Sequence, residues 1–334
     1  MTIFLLICTV PVSLMTWTLR TGETLLADVT NLSLDLPVLI PDFLYGQTST
    51  MLASDPGIGK SILSMQVALS LASGTTLFGT FSIPTPQPVY YLQLEGSYLH
   101  SIERIRLMRQ KIPLLAENLC WDMGEGLNVL REQEWGRVEQ RIRQFKKPAL
   151  IVIDPLYMLV AGGLSEDRPA SAVVRFSNAL MQTFGAANWL NHHTHRARYQ
   201  NGEVVQEDDP FYGSQWLKAH LDASWLMTRK GKTQVHVACK KDRHGVLPKE
   251  INLVYHEDSM TCENVLYAES SAMQKVLLLL AECKARNITI SFSEIQAKTG
   301  VSHAHLRRLK NELPKIQPVK FINVPGKSTL WQPL

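Results

Sequence analysis

The sequence predicts an α/β fold: a mostly parallel sheet flanked by helices, antiparallel strands at one edge, and a small C-terminal helical domain. Three observations carry this. Apolar runs suited to burial on both faces alternate with amphipathic helical stretches as far as residue 193. The glycine-studded stretch "SDPGIGKS" (54–61) joins one of these runs to a helix. From Asp222 the rhythm changes to short β runs separated by turn signals such as Lys230-Gly231 and His244-Gly245.

In chain order, "LPVLIPDFLYGQTSTMLASDPGIGKS" reads as an entry segment, a buried strand over Ser49–Ala53, and the loop. "SILSMQVALSLASG" follows with helical apolar spacing and Gly74 as its stop. "PVYYLQLE" (88–95) is a second apolar strand ending in a carboxylate, read here as the strand next to the P-loop strand. "YLHSIERIRLMRQKI" and "EQEWGRVEQRIRQFKK" are charged amphipathic helices, and "ALIVID" (149–154) is a strand buried on both faces. A helix over about 170–184 leads into "ANWLNHH" (187–193). "DASWLMTR", "TQVHVACK", "EINLVYH" and "ENVLYA" are β runs expected to extend the sheet antiparallel. A boundary falls at "YAESSA" (267–272), followed by helix "MQKVLLLLAECKAR", "ITIS", two short helices and two β runs around "NVPGKST". The domains expected are an extension over 1–35, a core over 36–268 and a small domain over 271–334.

With 45% hydrophobic and 19% charged residues, the 334-residue chain can bury one large core and a smaller one. Its net charge of +4 is unevenly placed: ten Lys/Arg face three Asp/Glu from Ser271 onward. A basic tail on a mildly acidic body suggests a nucleic-acid-facing module, against the plainer reading of a solvated basic surface. The five cysteines (Cys8, Cys120, Cys239, Cys262, Cys283) are odd in number and scattered, which fits a reducing compartment rather than disulfides or a zinc ribbon. The apolar start "MTIFLLICTVPVSLMTWTLR" has its first charge, Arg20, after the apolar run and is broken by Pro11. It reads as a buried strand or an extension upstream of Met15 rather than an export signal or membrane span, and the expected location is the cytoplasm.

The loop carries the chemistry. Successive backbone N–H groups over Ser54, Asp55, Pro56, Gly57, Ile58, Gly59, Lys60, Ser61 and Ile62 can cradle phosphates at a helix N-terminus, Pro56 alone lacking a donor. Lys60 would reach the β- and γ-phosphates of ATP and the Ser61 hydroxyl would ligate Mg²⁺. Ser54 stands where the usual pattern has its first glycine; since serine disfavours positive φ, a reshaped loop is expected. Asp154, closing "ALIVID", suits the second metal-holding carboxylate, against a plain strand-terminal cap. Glu95 suits a general base for the attacking water, against a helix N-terminal acid that merely complements the macrodipole.

This set, Gly57/Gly59/Lys60/Ser61, Glu95, Asp154 and the strand end His192-His193, resembles the RecA-like ATPases, in particular the branch of RepA and DnaB-type hexameric helicases. The resemblance covers about residues 36–258 and implies a RecA-like core, a catalytic Glu95 and a γ-phosphate sensor in the His pair. It also implies that Lys241 and Arg243 in "CKKDRHG" reach a neighbouring subunit's γ-phosphate, against a bland basic turn. "HHTHR" is read against a zinc site, because adjacent strand residues point apart. The polar segment 194–214 lies where the family faces its DNA channel; Arg196, Arg198 and Tyr199 suit backbone and base contact, although the acidic run 207–209 opposes it.

The tail "SFSEIQAKTGVSHAHLRRLKNEL" has a helix–turn–helix outline, with Ser302 as N-cap. His303, His305, Arg307, Arg308 and Lys310 lie on or near its second helix, and with "VKFINVPGKSTLWQP" as a wing the whole resembles a winged helix, a module that binds DNA or protein. The reading is an ATP- and Mg²⁺-dependent DNA motor of a plasmid, phage or mobile element, a hexamer with no membrane association. The alternative is an ATP-gated DNA-binding regulator or loader; a metabolite kinase fits neither Glu95 nor the tail.

Overall fold

The computed structural model describes residues 21–31, 37–124, 126–161, 163–194, 198–200, 203–205, 215–286, 288–302, 306–307, 309–310, 319–322 and 330–333. They divide into two compact units, one up to Cys262 and one from Glu263.

The first unit opens with helix α1 (Gly22–Asn31) and the short antiparallel pair β1 (Val38–Ile40) and β2 (Leu44–Tyr45). Then follow β3 (Ser49–Ser54), α2 (Lys60–Ser73), β4 (Val89–Gln93), α3 (Tyr98–Met108), β5 (Leu119–Met123), α4 (Glu132–Arg143) and β6 (Leu150–Asp154). A 3₁₀ turn, Leu156–Leu159, leads to α5 (Asp167–Phe184) and β7 (Ala187–His193). A hairpin of β8 (Arg198–Gln200) and β9 (Glu203–Val205) precedes α6 (Gln215–His220), β10 (Ala223–Lys230), β11 (Gln234–Asp242), β12 (Glu250–His256) and β13 (Thr261–Asn264).

Nine strands form one sheet in the order β13-β12-β11-β10-β3-β7-β6-β4-β5. From β5 to β10 every neighbour is parallel, while β11 runs antiparallel to both β10 and β12. Alternation along each parallel strand feeds two cores. Leu52, Tyr91, Val152, Trp189 and Trp225 share one with α2 and α3; Met51, Tyr90, Ile151, Ile153 and Leu190 share the other with α4 and α5. Phe43 wedges between two tryptophans, with ring centroids 5.7 Å from both Trp189 and Trp225.

Three expectations are corrected here. The "PVYYLQLE" strand does not lie beside the P-loop strand: β7 and β6 stand between β3 and β4. Periodicity reports burial but not strand order, so a neighbour in the chain is easily mistaken for a neighbour in the sheet. "DASWLMTR" joins as β10, the last parallel strand, because the α6 crossover returns the chain in the direction of β3. "ENVLYA" splits, with β13 ending at Asn264 and a helix beginning at Val265.

The second unit contains α7 (Val265–Ala285), β14 (Ile290–Ser291), α8 (Phe292–Thr299), helical residues at 306–307 and 309–310, β15 (Val319–Ile322) and β16 (Leu330–Pro333). Its sheet has the order β14-β16-β15, with both pairs antiparallel. Ser291 and Glu294 form a reciprocal capping box on α8, and Gly300 ends it in the left-handed region. Trp331 is fully buried in edge-to-face contact with Phe292 at 5.7 Å, over Val276, Leu280, Ile295 and Leu306. The N–H of Leu306 donates to the Ser302 carbonyl, the first turn expected of the helix that Ser302 opens.

Candidate nucleotide site

β3 delivers the chain to the carboxyl edge of the sheet, and α2 begins at Lys60, after the turn 55–59. That turn needs left-handed backbone at Gly57 (φ 76°) and Gly59 (φ 108°), which glycine adopts without steric cost. Ser54 needs nothing of the kind. It is the extended last residue of β3, so the reshaped loop expected from its side chain does not occur. Its hydroxyl instead takes part in the site, donating to the Asp55 carbonyl at 2.8 Å and accepting from Lys60 Nζ at 3.0 Å.

Lys60 is buried, and its ammonium also donates to the Ser54 carbonyl at 2.9 Å, to the Asp55 carbonyl at 3.3 Å and to His193 Nδ1 at 3.2 Å. Burial pulls its pKa down to about 8, against the opposing pull of Asp154, Asp55 and Glu95. Burial and then the Lys60 charge lower that of His193. The two histidines point to opposite sides of β7, as the alternation predicts: His192 is fully buried, while His193 lines the cleft. The cleft, of about 290 Å³, is lined by Gly57, Gly59, Lys60, Ser61 and Ile62 from the loop side and by Glu95, Asp154 and His193 from the strand ends. Asp55 is exposed and accepts from the Thr194 hydroxyl; Pro56 is exposed, and Ile58 packs on the core.

Asp154 is buried at the end of β6 and accepts from the Tyr91 hydroxyl at 2.6 Å. Tyr91 stacks on Trp121 at 3.9 Å and 7°, and burial followed by the Asp154 charge raises its pKa. Glu95 sits beyond the end of β4. Its backbone carbonyl accepts from Gln93 Nε2 at 2.8 Å, and its carboxylate accepts from the Tyr157 hydroxyl. Gln93 is pinned in turn by Ser101 Oγ (2.7 Å) and Trp121 Nε1 (2.8 Å).

Sequence reasoning missed Tyr91, Gln93, His100, Ser101, Arg104 and Tyr157. His100, Ser101 and Arg104 line the cleft from α3, and their spacing from Ser97 (three, four and seven residues) was a readable signal that they share one helix face. Tyr157 had none, since its partner Glu95 is 62 residues away in the chain.

Lys241 and Arg243 stand elsewhere. In the β11–β10 register Lys241 pairs with Ser224, and Ser224 pairs with Met51, three residues before the end of β3. Lys241 Nζ donates to the carbonyls of Lys218 (2.8 Å) and Ala219 (3.1 Å) at the end of α6. Arg243 donates to the Ala219 carbonyl at 3.0 Å and pairs with Asp222 at 3.0 Å. Burial and then Arg243 lower the Lys241 pKa. Both cap a helix C-terminus, where cations are favoured, and neither lines its own chain's cleft. Of the nucleic-acid candidates, Arg307 is helical and exposed, and Lys310 is helical and half-buried. Arg198 lies on β8, while Arg196, Arg308, His303 and His305 lie outside the described residues. Among the described residues no helix is long and apolar enough to cross a membrane.

A glycine loop running from the end of a parallel strand into a helix, with Lys60, Ser61 and Asp154 around one cleft, defines a P-loop ATPase, and the strand order makes it RecA-like. The fold is shared with a solved structure of an isolated ATPase domain, at 15% identity and TM-score 0.52, over 73% of this chain and 96% of that one. It is also shared with a DnaB-like replicative helicase, at 14% identity and TM-score 0.51, over 73% of this chain and 67% of that one. No curated protein matches in sequence. The chain belongs to the AAA domain family, whose model matches residues 20–198, more than half of its length.

Proposed function

We propose that this chain is an ATP-hydrolysing, DNA-dependent motor, a replicative-type helicase or translocating ATPase of a plasmid, phage or other mobile element, working as a hexamer. The observation that carries the reading is the convergence of Lys60, Ser61, Glu95, Asp154 and His193 on one cleft. The fold shared with a DnaB-like replicative helicase supports it.

In this reading Lys60 exchanges its backbone carbonyls and His193 for phosphate oxygens. Glu95 accepts a proton from the attacking water, and His193 registers the γ-phosphate. Ser61 and Asp154 fit a magnesium ion: a hydroxyl and a carboxylate line one cleft, and Tyr91 engages one carboxylate oxygen. When bound, that ion neutralises charge on the phosphates. Lys241 and Arg243, remote from their own cleft, serve the neighbouring subunit's site. Arg196 and Arg198 meet single-stranded DNA, and the second unit acts as a winged helix gripping DNA through Arg307, Arg308 and Lys310.

The test is ATP turnover with and without single-stranded DNA over a range of protein concentrations, beside a strand-displacement assay. Per-subunit turnover should rise with concentration and with DNA, and displacement should require ATP. Turnover without displacement on any duplex would instead mark an ATP-gated regulator or loader. Turnover at full rate in dilute monomer, indifferent to DNA, would remove the motor reading altogether.

A further inference from the structure

We infer that Tyr157 is a positioning residue for hydrolysis: its hydroxyl orients the Glu95 carboxylate while its ring rests on His193, so one side chain sets both the base and the phosphate-sensing imidazole. This rests on the reading of Glu95 as general base.

A glutamate beyond the end of a strand is a poor base unless something fixes it. A carboxylate on a flexible side chain loses rate through misplacement of as little as about 1 Å. Here the backbone of Glu95 is held by Gln93, itself locked by Ser101 and Trp121. That network ends at the peptide and leaves the side chain free to swing. The O–H of Tyr157 supplies the missing restraint by bonding Glu95 Oε2, which leaves Oε1 to receive a proton from water. Burial, then the Glu95 hydrogen bond, pushes the phenol up to about 12, so it remains a donor at neutral pH.

Tyr157 is well placed to do this. It lies on the 3₁₀ turn that follows Asp154, so the strand carrying the metal carboxylate also carries the restraint on the base. Its ring centroid is 5.2 Å from that of His193, at 44°. His193 in turn meets Lys60 Nζ at 3.2 Å. Glu95, Tyr157, His193 and Lys60 thus form a continuous line of contacts across the ends of β4, β6, β7 and the start of α2. Withdrawal of Lys60 from His193 toward a phosphate alters the surface against which the Tyr157 ring rests, and so reaches the base.

Tyr157→Phe keeps the ring and removes the hydroxyl. Expected is a roughly tenfold fall in kcat, with KM and the Kd of a fluorescent ATP analogue within about twofold of wild type. The melting temperature should be unchanged. Tyr157→Leu, which also strips the ring from His193, should weaken analogue binding in addition. Glu95→Gln is run in parallel, alone and with Tyr157→Phe; it should abolish turnover, and the second change should then cost nothing more. If Glu95→Gln turns over normally, the general-base reading fails and takes this inference with it. If Glu95→Gln is inactive while Tyr157→Phe keeps wild-type kcat, the inference alone is overturned. Parallel losses of kcat and melting temperature in Tyr157→Phe would overturn it too, by making the hydroxyl merely structural.

Discussion

Lys60 enters the cleft with its charge at a disadvantage, because burial removes more hydration than the nearby carboxylates and carbonyls return. Its proton is therefore lost near pH 8 in the nucleotide-free chain. A bound triphosphate favours the ammonium and raises that pKa, so binding above pH 8 must take up a proton. Nucleotide affinity should be level below pH 8 and fall above it. The limiting slope is about tenfold per pH unit, for one linked proton. Titration of a fluorescent ATP analogue at several pH values checks this, and an affinity that stays level well above pH 8 would show that Lys60 keeps its proton without help. At this scale the sequence was informative where chemistry is local. Lys60 and Ser61 sit inside one motif, and Asp154 and Glu95 each follow an apolar run, so their roles are readable in the chain. Tyr157, Tyr91 and Gln93 gain theirs from contacts between strands, and Ser54 changes meaning once its backbone is seen to be extended.

At the scale of elements, α2 must both present Lys60 and stop before it meets the chain leading to β4. It stops at Gly74, whose φ of 72° lets its N–H close on the Ser70 carbonyl. A Cβ there would sit 2.9 Å from Pro86 Cγ, and the proline ring cannot rotate away. Gly74→Ala should therefore lower the unfolding free energy by about 2 kcal/mol, combining left-handed strain with the clash. Urea denaturation measures it, and a loss under about 0.5 kcal/mol would mean the Pro86 turn gives way. Gly74 as a stop was legible because the apolar spacing of α2 ends there. Strand β5 was not legible: "LCWDM" mixes a charge with half-buried side chains, as an edge strand does. Its Asp122 is consumed by Tyr90 and by Arg141 of α4, and nothing local indicates either partner.

At the scale of the whole molecule, the two cations at the end of β11 decide whether a single chain is a complete enzyme. If they act on a neighbour, Arg243→Ala and Glu95→Gln each inactivate the assembly by a different route. A mixture of the two then contains junctions at which an intact Glu95 faces an intact Arg243. Mixed samples should recover part of the wild-type turnover, up to about a quarter of sites at equal random mixing. No recovery under conditions where the variants demonstrably co-assemble would return Arg243 to the role of helix cap. The overall α/β architecture was legible because strands buried on both faces alternate with amphipathic helices. The order of those strands was not, since it depends on which crossovers pack, a property of the assembled sheet.

Three hydrogen bonds run from Lys241 and Arg243 into the last turn of α6. The tip of β11 and this short helix consequently behave as a single mechanical piece. Pulling the tip outward must either snap all three ties or drag the helix along, and with it the strand of polypeptide leading in from β9. Whatever force acts on those two cations is thereby delivered, as tension, to the segment between Val205 and Gln215.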